Sequence, residues 1–236
     1  MSSNQALIRS TACAIVDRLN SGEVTPLDLL DVLERRIAEV DGKVNALPIL
    51  CFDRARKQAQ ILMQKPSGSR GLLAGMPIPI KDLTSVAGVR TTQGSPIFKD
   101  TVPQISDILV ERLEENGGVI YAKSNTPEFG AGANTFNEVF GATLNPWDTT
   151  KSAAGSSGGA AVALATGTAW LAHGSDMGGS LRNPASFCGI VGLRPSIGRV
   201  AHTPEAAIDL ERRTMRNASD ARPQADDAAK ACRIAQ

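Results

Sequence analysis

Lys81 is the first ionisable group in the otherwise apolar stretch Met76-Pro77-Ile78-Pro79-Ile80-Lys81, and Asp82 follows it directly. Two later stretches match it in chemical interest: Gly155-Ser156-Ser157-Gly158-Gly159, and Asp176-Met177-Gly178-Gly179-Ser180-Leu181-Arg182-Asn183-Pro184. In the last of these, glycines just before a serine let successive backbone N–H groups converge on a point beside the Ser180 hydroxyl. Donors aimed there stabilise the negative oxygen of a tetrahedral intermediate, each worth about 3–4 kcal/mol in a favourable case. A serine hydroxyl is a weak nucleophile until a base takes its proton. A buried lysine can be that base, because desolvation disfavours its charged form. The chemistry such a set supports is acyl transfer.

The residues that carry these features resemble a known family. Gly155 to Gly159, then Ala161, Val162, Leu164 and Ala165, then Gly174, Asp176, Gly178, Ser180, Leu181, Arg182, Pro184 and Ala185 are similar to the signature of the amidase signature serine hydrolases. Lys123-Ser124-Asn125-Thr126-Pro127-Glu128-Phe129 and Asn145-Pro146-Trp147 resemble its connecting motifs, and the likeness spans Leu7 to Val200. The resemblance implies a Ser–Ser–Lys triad: Ser180 as nucleophile, Lys81 as base, and Ser156 as proton relay after a cis Gly155–Ser156 bond. It implies an oxyanion hole from the N–H groups of Met177, Gly178 and Gly179, joined by Ser180, with Ser157, Asp176 and Arg182 in support. The substrate implied is a small-molecule carboxylic amide, and no metal or organic cofactor is required. The fold implied is a mixed central α/β sheet flanked by helices, incomplete on its C-terminal side. Members of that family are usually much longer, so the chain reads as a truncated member. Ala154 stands where the signature has glycine. An amidotransferase-type subunit releasing ammonia from glutamine would share this chemistry, and a catalytically silent fragment is the contrasting alternative.

Blander readings compete at each position. Ser156 and Ser157 in isolation are turn residues of a Gly-rich loop, and Lys81 in isolation is a snorkelling lysine. Asp176 and Arg182 read first as an internal ion pair, and Cys188 as a small core thiol. Gly155-Ser156-Ser157-Gly158-Gly159 also fits the G-x-S-x-G nucleophile elbow, with Asp176 and His202 following in order. That elbow needs an apolar strand before its serine, which Thr149-Thr150-Lys151-Ser152-Ala153-Ala154 does not supply. A phosphate loop is weaker still, because no Lys-Ser/Thr pair follows the glycines.

The elements that would position these residues fall into three regions. Residues 1–65 read as a helical region packed on the core: Leu7, Ile8, Ala12, Ile15, Val16 and Leu19 recur at helical spacing. A second helix has Thr25 as cap, Pro26 and Asp28 in its first turn, an apolar face of Leu27, Leu30, Leu33, Ile37 and Val40, and Gly42 as stop. A third runs from about Asp53 to Met63, before the loop Lys65–Ser69. Residues 66–200 read as the α/β core, with an extended segment at Met76–Leu83, a helix at Ser106–Asn116, a strand at Val119–Lys123 and a turn at Asn145–Asp148. The Ala-rich run Gly158–Gly174 reads as a buried helix followed by a strand, its glycines serving close approach. Residues 201–236, without glycine or aromatic residues, read as an atypical tail, either a weak helix or disordered.

Composition narrows the function classes. The charge balance of 25 Lys+Arg against 24 Asp+Glu gives +1, which disfavours a nucleic-acid surface. Cys13, Cys51, Cys188 and Cys232 are far apart, so no zinc ribbon or dense disulfide framework is expected, and with only two histidines no metal site is expected either. No membrane span or secretory signal is recognised, so a cytoplasmic location and no membrane partner are the default. A homo-oligomer is left open.

Overall fold

The computed structural model describes residues 3–200; the tail reading for 201–236 and the position of His202 lie outside the described residues. Residues 3–200 belong to one compact unit. The run of apolar residues from Leu7 to Leu19 is divided between two helices, α1 (Ser3–Ile8) and α2 (Ala12–Ser21). The break falls where the Thr11 hydroxyl accepts the Ala14 N–H at 3.2 Å and starts a new helix. Helix α3 (Pro26–Val44) opens on a capping box in which Thr25 accepts the Asp28 N–H and Asp28 accepts the Thr25 N–H. It does not stop at Gly42. Asn45 ends it in the left-handed conformation at φ 54°, and its side-chain amide donates to the carbonyls of Phe140 (2.7 Å) and Ala142 (3.1 Å). A distant hairpin thus fixes the terminus that local propensity would have placed earlier. Leu29, Leu30, Leu33 and Ile37 are buried, whereas the expected face residues Leu27 and Val40 are only partly so.

The sheet next to the site has three strands in the order β1 (Ile49–Leu50), β3 (Val119–Ser124), β2 (Pro77–Lys81). β1 runs antiparallel to β3, and β2 runs parallel to it, so the sheet is mixed. The parallel pair requires a crossover, provided by α5 (Ile108–Glu115), which Asp107 caps by accepting the Leu109 N–H at 2.9 Å. Helix α4 (Phe52–Met63) packs on β3. Every residue of β2 and β3 is buried, as parallel strands covered on both faces demand. In register, Lys81 lies beside Ser124 and Ile80 beside Lys123. The two lysines therefore belong to opposite faces of the sheet.

A small hairpin, β4 (Phe136–Asn137) with β5 (Gly141–Ala142), precedes α6 (Gly158–Thr166), which packs on β2 and β3, and α7 (Arg182–Cys188). The α6 glycines are there for contact: a Cβ on Gly159 would lie 2.3 Å from the Asn125 backbone nitrogen. The strand expected after α6 does not form; residues 169–176 run without a ladder. No helix among the described residues is long and apolar enough to cross a membrane.

Candidate active site

Lys81 ends β2 and is fully buried. Its ammonium nitrogen lies 2.6 Å from Ser156 Oγ, 2.9 Å from Ser157 Oγ and 3.0 Å from Ser175 Oγ. The Gly155–Ser156 peptide is cis, and both serines are 2% exposed just before the first turn of α6. Thr135 steadies this loop: its hydroxyl donates to the Ala154 carbonyl at 2.8 Å and accepts the Gly158 N–H at 3.1 Å. Burial pushes the Lys81 amine down to about 7, with the Asp176 charge pulling the other way. At neutral pH a substantial fraction is the free base.

The hydroxyls around Lys81 are not equivalent. Ser157 Oγ donates to the Ser175 carbonyl at 3.1 Å and accepts the Ser175 N–H at 3.2 Å. Its proton is therefore engaged, and toward Lys81 it can only accept. Ser156 has no such competing engagement among the described residues, so it can donate to the lone pair of a neutral Lys81.

Asp176 organises the second half of the site. Its side chain is 0% exposed, and Oδ1 accepts the Gly179 N–H at 2.7 Å. Oδ2 accepts the N–H groups of Leu181 (3.1 Å) and Arg182 (3.3 Å), and the Arg182 guanidinium grips both oxygens at 3.0 Å. Burial alone would raise this carboxyl; the Arg182 guanidinium and the three backbone donors outweigh it and hold the group well below the usual carboxylate range. Asp176 and Arg182 thus form an ion pair that shapes the turn before α7. Ser180 joins the serine loop through its carbonyl, which accepts the Ser157 N–H at 3.1 Å. Among the described residues no hydrogen bond links its hydroxyl to Ser156.

The expected oxyanion donors separate into two groups. The Gly179 N–H points at Asp176, so it braces the turn instead of facing a substrate. The N–H groups of Met177, Gly178 and Ser180 make no hydrogen bond among the described residues, and Met177 is 59% exposed. Cys188 is buried, and that burial pushes its thiol up to about 11, which keeps it protonated and unreactive.

Two contributors are invisible in the sequence. Ser175 supplies the third hydroxyl on Lys81, and its only local signal is its place beside Asp176. His173 accepts the Lys81 backbone N–H with Nδ1 at 3.3 Å. No spacing rule relates it to Lys81 in sequence.

The family model described as Amidase matches residues 28–219. The chain belongs to the amidase family. The match runs past Val200, where the motif resemblance ends. Among curated relatives, a glutamyl-tRNA(Gln) amidotransferase subunit of Prochlorococcus marinus (strain MIT 9211) is 43% identical over 186 residues, covering 78% of this chain and 38% of the relative. Its counterpart of the same description from Alkaliphilus metalliredigens (strain QYMF) is 44% identical over 181 residues, covering 76% and 37%. Among solved structures, 6-aminohexanoate cyclic dimer hydrolase complexed with substrate aligns with a TM-score of 0.77 at 34% identity, over 84% of this amidase-family chain and 40% of that one. A bacterial aryl acylamidase belonging to the amidase signature family gives a TM-score of 0.77 at 32% identity, over 82% and 41%. The chain spans about two fifths of the length of these relatives.

Proposed function

We propose that this amidase-family chain carries the proton-handling half of an amide-cleaving site, with Ser180 as nucleophile, Ser156 as relay and Lys81 as base. The observation that carries the reading is the 2.6 Å contact between the buried Lys81 amine and Ser156 Oγ, inside a shell of serine hydroxyls. Ser180 Oγ attacks the amide carbonyl and passes its proton to Ser156, whose own proton moves to Lys81. The N–H groups of Met177, Gly178 and Ser180 receive the developing oxyanion, while Gly179, Asp176 and Arg182 hold their turn in shape. Ser156 then protonates the departing nitrogen and recovers its proton from Lys81. Water enters by the reverse route and frees the acid from the Ser180 ester.

The substrate class is a small carboxylic amide. A second reading, release of ammonia from glutamine for a partner protein, is favoured by the descriptions of the relatives at 43–44% identity. A fluorophosphonate probe tests the shared chemistry on the full chain. Labelling of wild type that disappears in Ser180→Ala supports it; folded protein that never labels points to the silent fragment. Turnover of aryl amides and of glutamine, measured side by side, separates the two substrate readings.

A further inference from the structure

The outward edge of β2 is short of hydrogen-bond donors. The Asp82 N–H meets the Ser124 carbonyl of β3 at 3.0 Å, and by alternation along the strand Ile78 and Ile80 also turn their N–H and C=O toward β3. Residues 77, 79 and 81 face the other way, and two of the three are prolines, which have no N–H. Lys81 therefore holds the only donor on that edge of the strand. A single residue meets the edge at two points: the His173 N–H donates to the Pro79 carbonyl at 3.1 Å, and His173 Nδ1 accepts the Lys81 N–H at 3.3 Å. The second bond is where a neighbouring strand would have offered a carbonyl, so His173 meets the edge without a ladder.

We propose that His173 is a positioning residue for Lys81: its imidazole receives the backbone N–H of the base while its own backbone grips Pro79. The turn bearing Ser175, Asp176 and Ser180 is thereby clamped to the strand bearing Lys81. The inference rests on the assignment of Lys81 as base. It requires a neutral imidazole, because a protonated Nδ1 cannot accept. Burial, together with the charges of Lys81 and Lys123, pushes His173 down to about 3, so it stays neutral wherever the enzyme would work. Asp176, which faces Lys81, is tied to Arg182. Loss of the acceptor would loosen the shell, admit water to Lys81 and let its amine rise toward the solvent value.

The test compares His173→Leu, similar in bulk but without an acceptor, with His173→Asn, whose Oδ1 can stand in for Nδ1. Both full-length variants are labelled with a fluorophosphonate across pH, and the Lys81 amide is followed by hydrogen exchange. His173→Leu should label Ser180 about tenfold more slowly at pH 7, with a midpoint moved to higher pH, and its Lys81 amide should exchange about tenfold faster. His173→Asn should match wild type in all three, a rescue that a role confined to packing would not give. The proposal is overturned if His173→Leu keeps the wild-type midpoint and amide protection, or if His173→Asn is impaired as severely. If wild type itself never labels, the hydrolase reading fails, and amide exchange alone decides the clamp: faster exchange in the leucine variant only supports it, and equal exchange refutes it. If the leucine variant does not fold, His173→Phe, also without an acceptor, takes its place under the same two outcomes.

Discussion

Lys81 and Lys123 sit on neighbouring strands, both wholly removed from solvent, on opposite faces of one sheet. Burial drives both amines down, Lys81 to about 7 and Lys123 to about 8. Their surroundings differ in kind. Lys123 lies 3.4 Å from the Asp82 carboxylate and donates to the Thr84 carbonyl and the Thr91 hydroxyl, each at 2.7 Å. Asp82 is further held by the Thr92 N–H and hydroxyl. Lys81 meets hydroxyls only, and the carboxylate near it is already engaged by Arg182. A buried lysine beside a carboxylate that no other cation claims becomes half of an ion pair; among hydroxyls that can pass a proton it is available as a base, the role proposed for Lys81. Environment, not burial, separates the two roles.

Swapping out each amine should expose that contrast most sharply. Lys81→Ala should cut Ser180 labelling and amide turnover by about a hundredfold or more, the range for loss of a general base. A loss under tenfold would assign the base elsewhere. The opposite face should respond in stability and not in chemistry. Asp82→Asn leaves Lys123 buried without its counter-charge and should cost about 3–5 kcal/mol in urea unfolding, with Lys123→Met on top of it recovering most of the loss. An unchanged midpoint for Asp82→Asn would show that Lys123 is held by Thr84 and Thr91 alone.

Titration sharpens the comparison further. The proposed mechanism needs neutral Lys81, so labelling should fall about tenfold per unit as pH drops below about 7 and level off above it. The effect on stability has its own sign. Lys81 is lowered from 10.5 to about 7, so between those values the unfolded chain binds more protons than the folded one, and stability rises with pH across that window. Lys81→Met should flatten that rise; a slope identical to wild type would contradict the burial argument.

The smallest effect belongs to the loop before the serines. Ala154 adopts φ 58°, a left-handed conformation that suits glycine, in a position 3% exposed. Ala154→Gly should stabilise the fold by about 1 kcal/mol without changing the labelling rate. A loss of stability would mean that the buried methyl contributes more packing than the backbone strain costs.

The legible parts of the molecule were those written locally. The Thr25 cap with Asp28 in its first turn and the apolar runs of β2 and β3 announce their elements within a few residues. The serine loop and the Asp176–Pro184 turn announce the proposed chemistry in the same way, because glycines and hydroxyls must be contiguous there to act together. What the chain order hid was decided by meetings at a distance. Asn45 overrode Gly42 through bonds to Phe140 and Ala142. In place of the expected strand, His173 met the edge of β2 through its backbone and its imidazole, and Ser175 reached Lys81 across 94 positions. The Gly179 donor was claimed by a carboxylate three residues earlier, a contact compatible with the motif but not dictated by it.

The prolines of β2 also insulate the rim of the sheet. A strand from another molecule approaching that side finds no N–H at Pro77 or Pro79, and the one at Lys81 is already occupied by imidazole. The border beside the Lys81 amine is thus a poor template for edge-to-edge association, and self-pairing there is discouraged by the same prolines that leave Lys81 the one outward N–H of the strand.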